Sequence, residues 1–164
     1  MPNHCHNRVT FYSSGNDTDE SRAQIKKIRK LFDDENVFTQ IIPEPDWLNT
    51  PLMSKDVQEY SFSKPRGKVG ELPQYVEDYA KRLVFKSTGH ADDRWYDWRV
   101  QNWDTKWDAY DVEVIDEDPD CIEIQFDTAW SPPEAICSAL REQYPDLAIS
   151  WFYDEPGCEI AGYL

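Results

Sequence analysis

Two runs of alternating apolar and polar residues stand out along the chain. Tyr110 to Ile115 alternates Val112 and Val114 with Asp111 and Glu113 up to a change of register at Ile115, while Cys121 to Phe126 sets Ile122, Ile124 and Phe126 against Glu123 and Gln125. Side chains alternate across a strand with a period of two, so each run predicts a half-buried strand. The five residues between them, Asp116-Glu117-Asp118-Pro119-Asp120, predict the turn of a hairpin. Arg8 to Ser13, β-branched and aromatic, predicts an earlier strand that ends at the turn formers Ser14-Gly15-Asn16-Asp17. Leu147 to Tyr153 and Cys158 to Tyr163 predict a second hairpin across Asp154-Glu155-Pro156-Gly157.

Helical spacing takes over between these runs. Ile25, Ile28, Leu31 and Phe32 share one face of a helix that Asp17 or Thr18 caps, with Lys26, Lys27, Arg29 and Lys30 on its solvated side. Pro73 opens a helix striped by Tyr75, Val76, Tyr79, Ala80 and Leu83. Tyr96, Val100, Trp103 and Trp107 share a face within a helix from Asp92 to Trp107, flanked by Trp95 and Trp98. Ser131 reads as an N-cap, with Pro132 and Pro133 in the first turn, Glu134 completing a capping box, and Ile136, Ala139, Leu140 and Tyr144 facing the core. Val37 to Ile42 suits a short strand or an extended connection.

A helix after the first strand, then a hairpin, a helix and a closing strand make the split βαβ pattern. The expected fold is α+β, ferredoxin-like, with an antiparallel sheet carrying two helices on one face. It forms a single domain over 1–164, with a mainly helical insertion at 43–107 that begins in the proline-rich stretch from Pro43 to Pro73. The acidic alternation of the central hairpin implies that the other sheet face is partly wet.

Charge narrows the function. The net charge is −15, and between Asp104 and Asp127 the only cation is Lys106. Phosphate backbones and anionic membranes are therefore disfavoured as ligands, because both are bound through Lys and Arg. No apolar run approaches the roughly 18 residues of a membrane span, and no secretory leader is evident, so the cytoplasm is the expected compartment. Cys5, Cys121, Cys137 and Cys158 form no Cys-x-x-Cys pair and are read as reduced thiols. His4, Cys5 and His6 alternate along a strand and do not reach one ion together.

No catalytic motif is present, and no catalytic residue, metal or cofactor is assigned. The expectation is a non-enzymatic protein, monomer or homodimer, that binds a protein partner with a basic surface. Its contact residues are Asp111, Glu113, Asp116, Glu117, Asp118, Asp120 and Glu123. Carboxylates on one strand face recur about every 6.6–7 Å, of the order of the phosphate spacing in one nucleic-acid strand, so the hairpin suits a nucleic-acid mimic. An interaction module without mimicry is one alternative. A divalent-metal enzyme built on the carboxylates is another, although Asp116-x-Asp118-x-Asp120 lacks the Gly and distal Glu of a calcium loop. Trp103, Trp107 and Trp130 bracket the acidic run as a structural aromatic cluster.

Four blocks carry a resemblance: Met1-Pro2-Asn3-x-Cys5-x-Asn7-Arg8-Val9-Thr10, Asn102-Trp103-x-Thr105-Lys106-Trp107-Asp108, Phe126-Asp127-Thr128-Ala129-Trp130-Ser131-Pro132-Pro133 and Tyr153-Asp154-Glu155-Pro156-Gly157. Together they resemble the YubB-like ferredoxin-like domain family of phages and plasmids. The resemblance implies the same fold, a mobile genetic element as source and a bacterial host cytoplasm; combined with the acidic hairpin, it suggests an inhibitor of a host nucleic-acid-binding or defence protein. His4 stands where the family pattern has Trp, and Asp104 where it has Gly. Asp tolerates a left-handed backbone better than most residues, so the turn at 104 is expected to survive.

Overall fold

The computed structural model describes residues 3–15, 18–47 and 94–164. Five strands form one antiparallel sheet: β1 (His4–Ser13), β2 (Tyr110–Asp118), β3 (Cys121–Ala129), β4 (Leu147–Glu155) and β5 (Ile160–Tyr163). Their spatial order is β2-β3-β1-β4-β5. The described helices are α1 (Asp19–Leu31), α2 (Val37–Ile41), α3 (Arg94–Trp103) and α4 (Glu134–Gln143). β1, α1, β2, β3, α4 and β4 make the ferredoxin-like split βαβ, and β5 extends one edge.

Strand β1 lies between β3 and β4, and its register places Val9 opposite both Ile124 and Trp151. Cys5, Asn7, Val9 and Phe11 therefore share a face with Ile122, Ile124, Phe126 and Trp151, and all of them are buried. Ile25, Ile28 and Phe32 of α1 and its C-cap, and Ile136, Cys137 and Leu140 of α4, belong to the same core. Ring contacts run from Phe11 through Phe32 and Phe126 to Trp151, at centroid separations of 6.0, 5.6 and 5.6 Å. Helix α1 starts at Thr18, whose side chain accepts the Ser21 N–H while Ser21 Oγ accepts the Thr18 N–H.

Asn7 is the polar centre of this core. Its side-chain amide donates to Cys5 O and to Thr128 Oγ1, at 3.0 and 2.9 Å, and its Oδ1 accepts the Trp151 indole N–H at 3.0 Å. One buried side chain thus ties β1 to both neighbours and satisfies an indole that has no route to water.

Several elements differ from the sequence expectation. Val37 to Ile42 is neither strand nor extended chain, because Val37, Phe38 and Ile41 bury one side of a single helical turn and Asp108 accepts its first amides. The expected five-residue turn shrinks to Pro119-Asp120, since β2 continues to Asp118 and Asp118 pairs with Cys121. β1 begins at His4 rather than Arg8, held by pairing from both sides. In α3, Trp98 packs against Trp103 at 5.7 Å, while Tyr96 and Val100, expected on the inner face, are exposed. Ser131 does not cap α4, which begins at Glu134 and has no side-chain cap from Pro133.

The chain divides into two compact units, Met1–Pro43 with Trp98–Leu164, and Glu44–Asp97. In the second unit, Trp47 donates its indole N–H to Glu44 and the Arg94 guanidinium lies 5.2 Å from the Trp47 ring centre. The helix expected from Pro73 falls outside the described residues.

Replacing Asn7 with Ala strands the Trp151 N–H in the core and removes the amide that Thr128 Oγ1 accepts, although that hydroxyl keeps its bond to Ser131 O. We expect a loss of about 2–3 kcal/mol, read as a lower urea midpoint at unchanged m-value.

Candidate functional site

The register that buries one sheet face defines the other. His4, His6, Arg8, Thr10 and Tyr12 alternate away from the helices, and their neighbours include Asp127, Gln125 and Glu123 on β3 and Asp154, Phe152 and Ser150 on β4. Glu113 faces Gln125, Asp116 faces Glu123 and Asp118 faces Cys121, so these three β2 carboxylates share this open face. Arg8 is the one permanent cation on the described strands of the face. It is held by Glu123, which accepts its Nε at 2.8 Å and lies 2.7 Å from its Nη2.

Two register shifts in β2, between Tyr110 and Glu113 and between Val114 and Asp116, break the alternation. Asp111 takes a left-handed backbone with φ 52° at the first of them. The bulge brings both Asp111 and Glu113 to the rim of a cavity of about 300 Å³, which His6, Arg8, Asp127 and Asp154 also line. Phe152 forms part of its wall. Asp127 Oδ1 lies 2.7 Å from His6 Nδ1, and the Tyr110 hydroxyl shares a 2.7 Å hydrogen bond with His4 Nδ1.

The seven expected contact residues are not one surface. Asp111 and Glu113 meet at the cavity, and Asp116 and Asp118 continue along the same face. Glu123 is neutralised by Arg8. Glu117 lies opposite buried Ile122, hence on the helix side, where its carboxylate accepts Arg29 Nε at 3.1 Å. Asp120 sits in the turn. Asp127 and Asp154 were missed as site residues, although a cross-strand reading around His6 would have found them. Cys5 points into the core while His4 and His6 share the open face, and among the described residues no group of three His, Cys, Asp or Glu is arranged to hold a metal ion.

The tryptophans also separate. Trp103 is fully buried against Phe38, and its indole donates to Ile42 O at 3.1 Å. Trp107 and Trp130 instead flank the Lys106 ammonium, at 4.4 and 5.8 Å from their ring centres. Trp130 is 48% exposed and left-handed, with φ 74°, and its N–H donates to Asn3 O at 3.0 Å. Around it, Thr105 Oγ1 donates to Ala129 O, Thr128 Oγ1 to Ser131 O, and Ser131 Oγ to Asp104 O.

Asp104, also left-handed at φ 63°, accepts the Ala135 N–H at 2.9 Å. The cap of α4 therefore comes from a residue 31 positions away rather than from Ser131. Asp108 accepts the Phe38, Thr39 and Ala109 amides, and burial nevertheless holds its carboxyl above the usual range. Burial likewise raises the Cys5 thiol from 9.0 to about 11, and burial together with Asp127 and Asp111 raises Tyr110 to about 12.

Residues 102–164 match the family model of the ferredoxin-like domain in Api92-like protein. Among solved structures, the protein api92 from Yersinia pseudotuberculosis matches over 99% of this chain and 93% of that one, with 11% identity and a TM-score of 0.47. No curated protein matches.

Asp104→Gly loses the cap but relieves the left-handed backbone, whereas Asp104→Ala loses the cap and keeps the strain. Thermal or urea unfolding is expected to place the Ala variant about 1 kcal/mol below the Gly variant. The Cys5 thiol binds its proton more tightly in the folded chain, so its contribution is complete below its unfolded value near 9.0 and is lost as pH rises through about 11. Stability measured from pH 8 to 11 should fall more shallowly in Cys5→Ala than in the parent.

Proposed function

We propose that the chain is an acidic binding protein whose open sheet face engages the basic surface of a protein partner. The observation that carries the reading is the placement of Glu113, Asp116, Asp118, Glu123, Asp127 and Asp154 on one side of a rigid sheet where Arg8 is the only permanent cation among the described strand residues. Such a surface steers a basic partner into place and acts by occupying it, with no bond made or broken.

The finer reading is an inhibitor made by a mobile genetic element, which covers the nucleic-acid channel of a host binding or defence protein in the bacterial cytoplasm. Its support is the charge and the YubB-like sequence blocks. The bulges of β2 interrupt an even repeat, so the imitation we envisage is one of charge density rather than of phosphate spacing.

A lysate pull-down compares two variants of equal charge. Neutralising Glu113, Asp116 and Asp118 as Gln, Asn and Asn is expected to abolish a capture that the parent loses by about 0.5 M salt. Neutralising Asp19, Glu20 and Asp34 on and after α1 should leave that capture intact. Equal loss in both variants would show a net-charge effect and overturn the assignment to the open face.

A further inference from the structure

We propose that the cavity on the open sheet face receives a guanidinium, so that the group the partner inserts there is an arginine side chain. This rests on reading the open face as a partner surface. Carboxylates reach the cavity from three strands: Asp111 and Glu113 from β2, Asp127 from β3 and Asp154 from β4. Asp111, Glu113 and Asp154 have no side-chain hydrogen-bond or ion-pair partner among the described residues, and Asp127 meets His6 Nδ1 at 2.7 Å through one oxygen and His4 Nδ1 at 3.9 Å through the other. Arg8, which also lines the cavity, is held by Glu123 and leaves Asp111, Glu113 and Asp154 without a cation among the described residues.

The shape of the group follows from the walls. Acceptors arranged around a cavity of about 300 Å³ suit a planar ion with five N–H donors better than a compact ammonium. Phe152 adds an aromatic wall, against which a guanidinium packs. The same face already carries one such ion in a similar setting. Arg8 is the cross-strand neighbour of Phe152 and bonds to a carboxylate of the adjacent strand. Arg8 and Phe152 both line this cavity, so a second guanidinium, meeting Asp111, Glu113 and Asp154, would come from outside.

Hexa-arginine and hexa-lysine carry equal charge and separate the two ideas. Titrated calorimetrically into the full chain at low salt, hexa-arginine is expected to bind at least about fivefold more tightly. Glu113→Gln with Asp154→Asn should bring the ratio near one, and Phe152→Leu should lower it. Asp116→Asn with Asp118→Asn removes the same charge from the face outside the cavity, and should weaken both peptides while preserving the ratio. Circular dichroism confirms that each variant is folded before it is scored. Equal affinities in the parent, or a ratio untouched by the cavity variants, would overturn the guanidinium site while leaving the acidic face standing. Failure of both peptides to bind would overturn both.

Discussion

The central position of β1 is the constraint on which the molecule rests. A strand paired on both sides has no freedom to rotate or slip without moving every side chain to the other face, and here each face has a different purpose. Cys5, Asn7, Val9 and Phe11 commit the odd positions to the helices, and the even positions His4, His6, Arg8, Thr10 and Tyr12 are thereby delivered to solvent. Asn7 makes the register unique. Its amide finds partners on β3 and β4 only when Thr128 and Trp151 lie where they do, and an off-register sheet would bury that amide without them.

A second constraint operates at one end of the sheet, where chain segments remote in sequence meet. The turn at 103–108 is stapled to the turn after β3 through Thr105 and Ser131, and Asp104 crosses to cap α4. Asp108 reaches the other way, to α2. Two carboxylates that count toward the acidic run are therefore structural, and each satisfies amides at a helix start. This separates them from the carboxylates of the open face, whose only described cation is already engaged.

The fold was largely legible because it depends on local periodicity. The alternation of Val112, Val114, Ile122 and Ile124, and the stripe of Ile25 and Ile28, are properties of short windows, and each was realised in the expected element. What remained hidden was set by contacts across many residues. Nothing near Ser131 announces that Asp104 will take over its capping role, and nothing near Val37 announces Asp108. The site was half legible for the same reason. Composition located the acidic hairpin, but a bulge moved Asp111 beside Glu113 and the register turned Glu117 toward Arg29. Asp127 and Asp154 join them only once β1 is known to lie between their strands.

The two borders of the sheet are unlike, and this bears on how the molecule behaves in a crowd of its own kind. β2 is bulged and lined with carboxylates, which deters another strand from adding to it. β5, Ile160-Ala161-Gly162-Tyr163, has neither a charge nor a proline, and its Tyr163 is 74% exposed. Mutual repulsion at a net charge of −15 opposes the pairing of that second border with its equivalent on another molecule. Near the isoelectric point of about 4.4 the repulsion vanishes, and colloidal stability then rests on a four-residue strand that has no guard of its own.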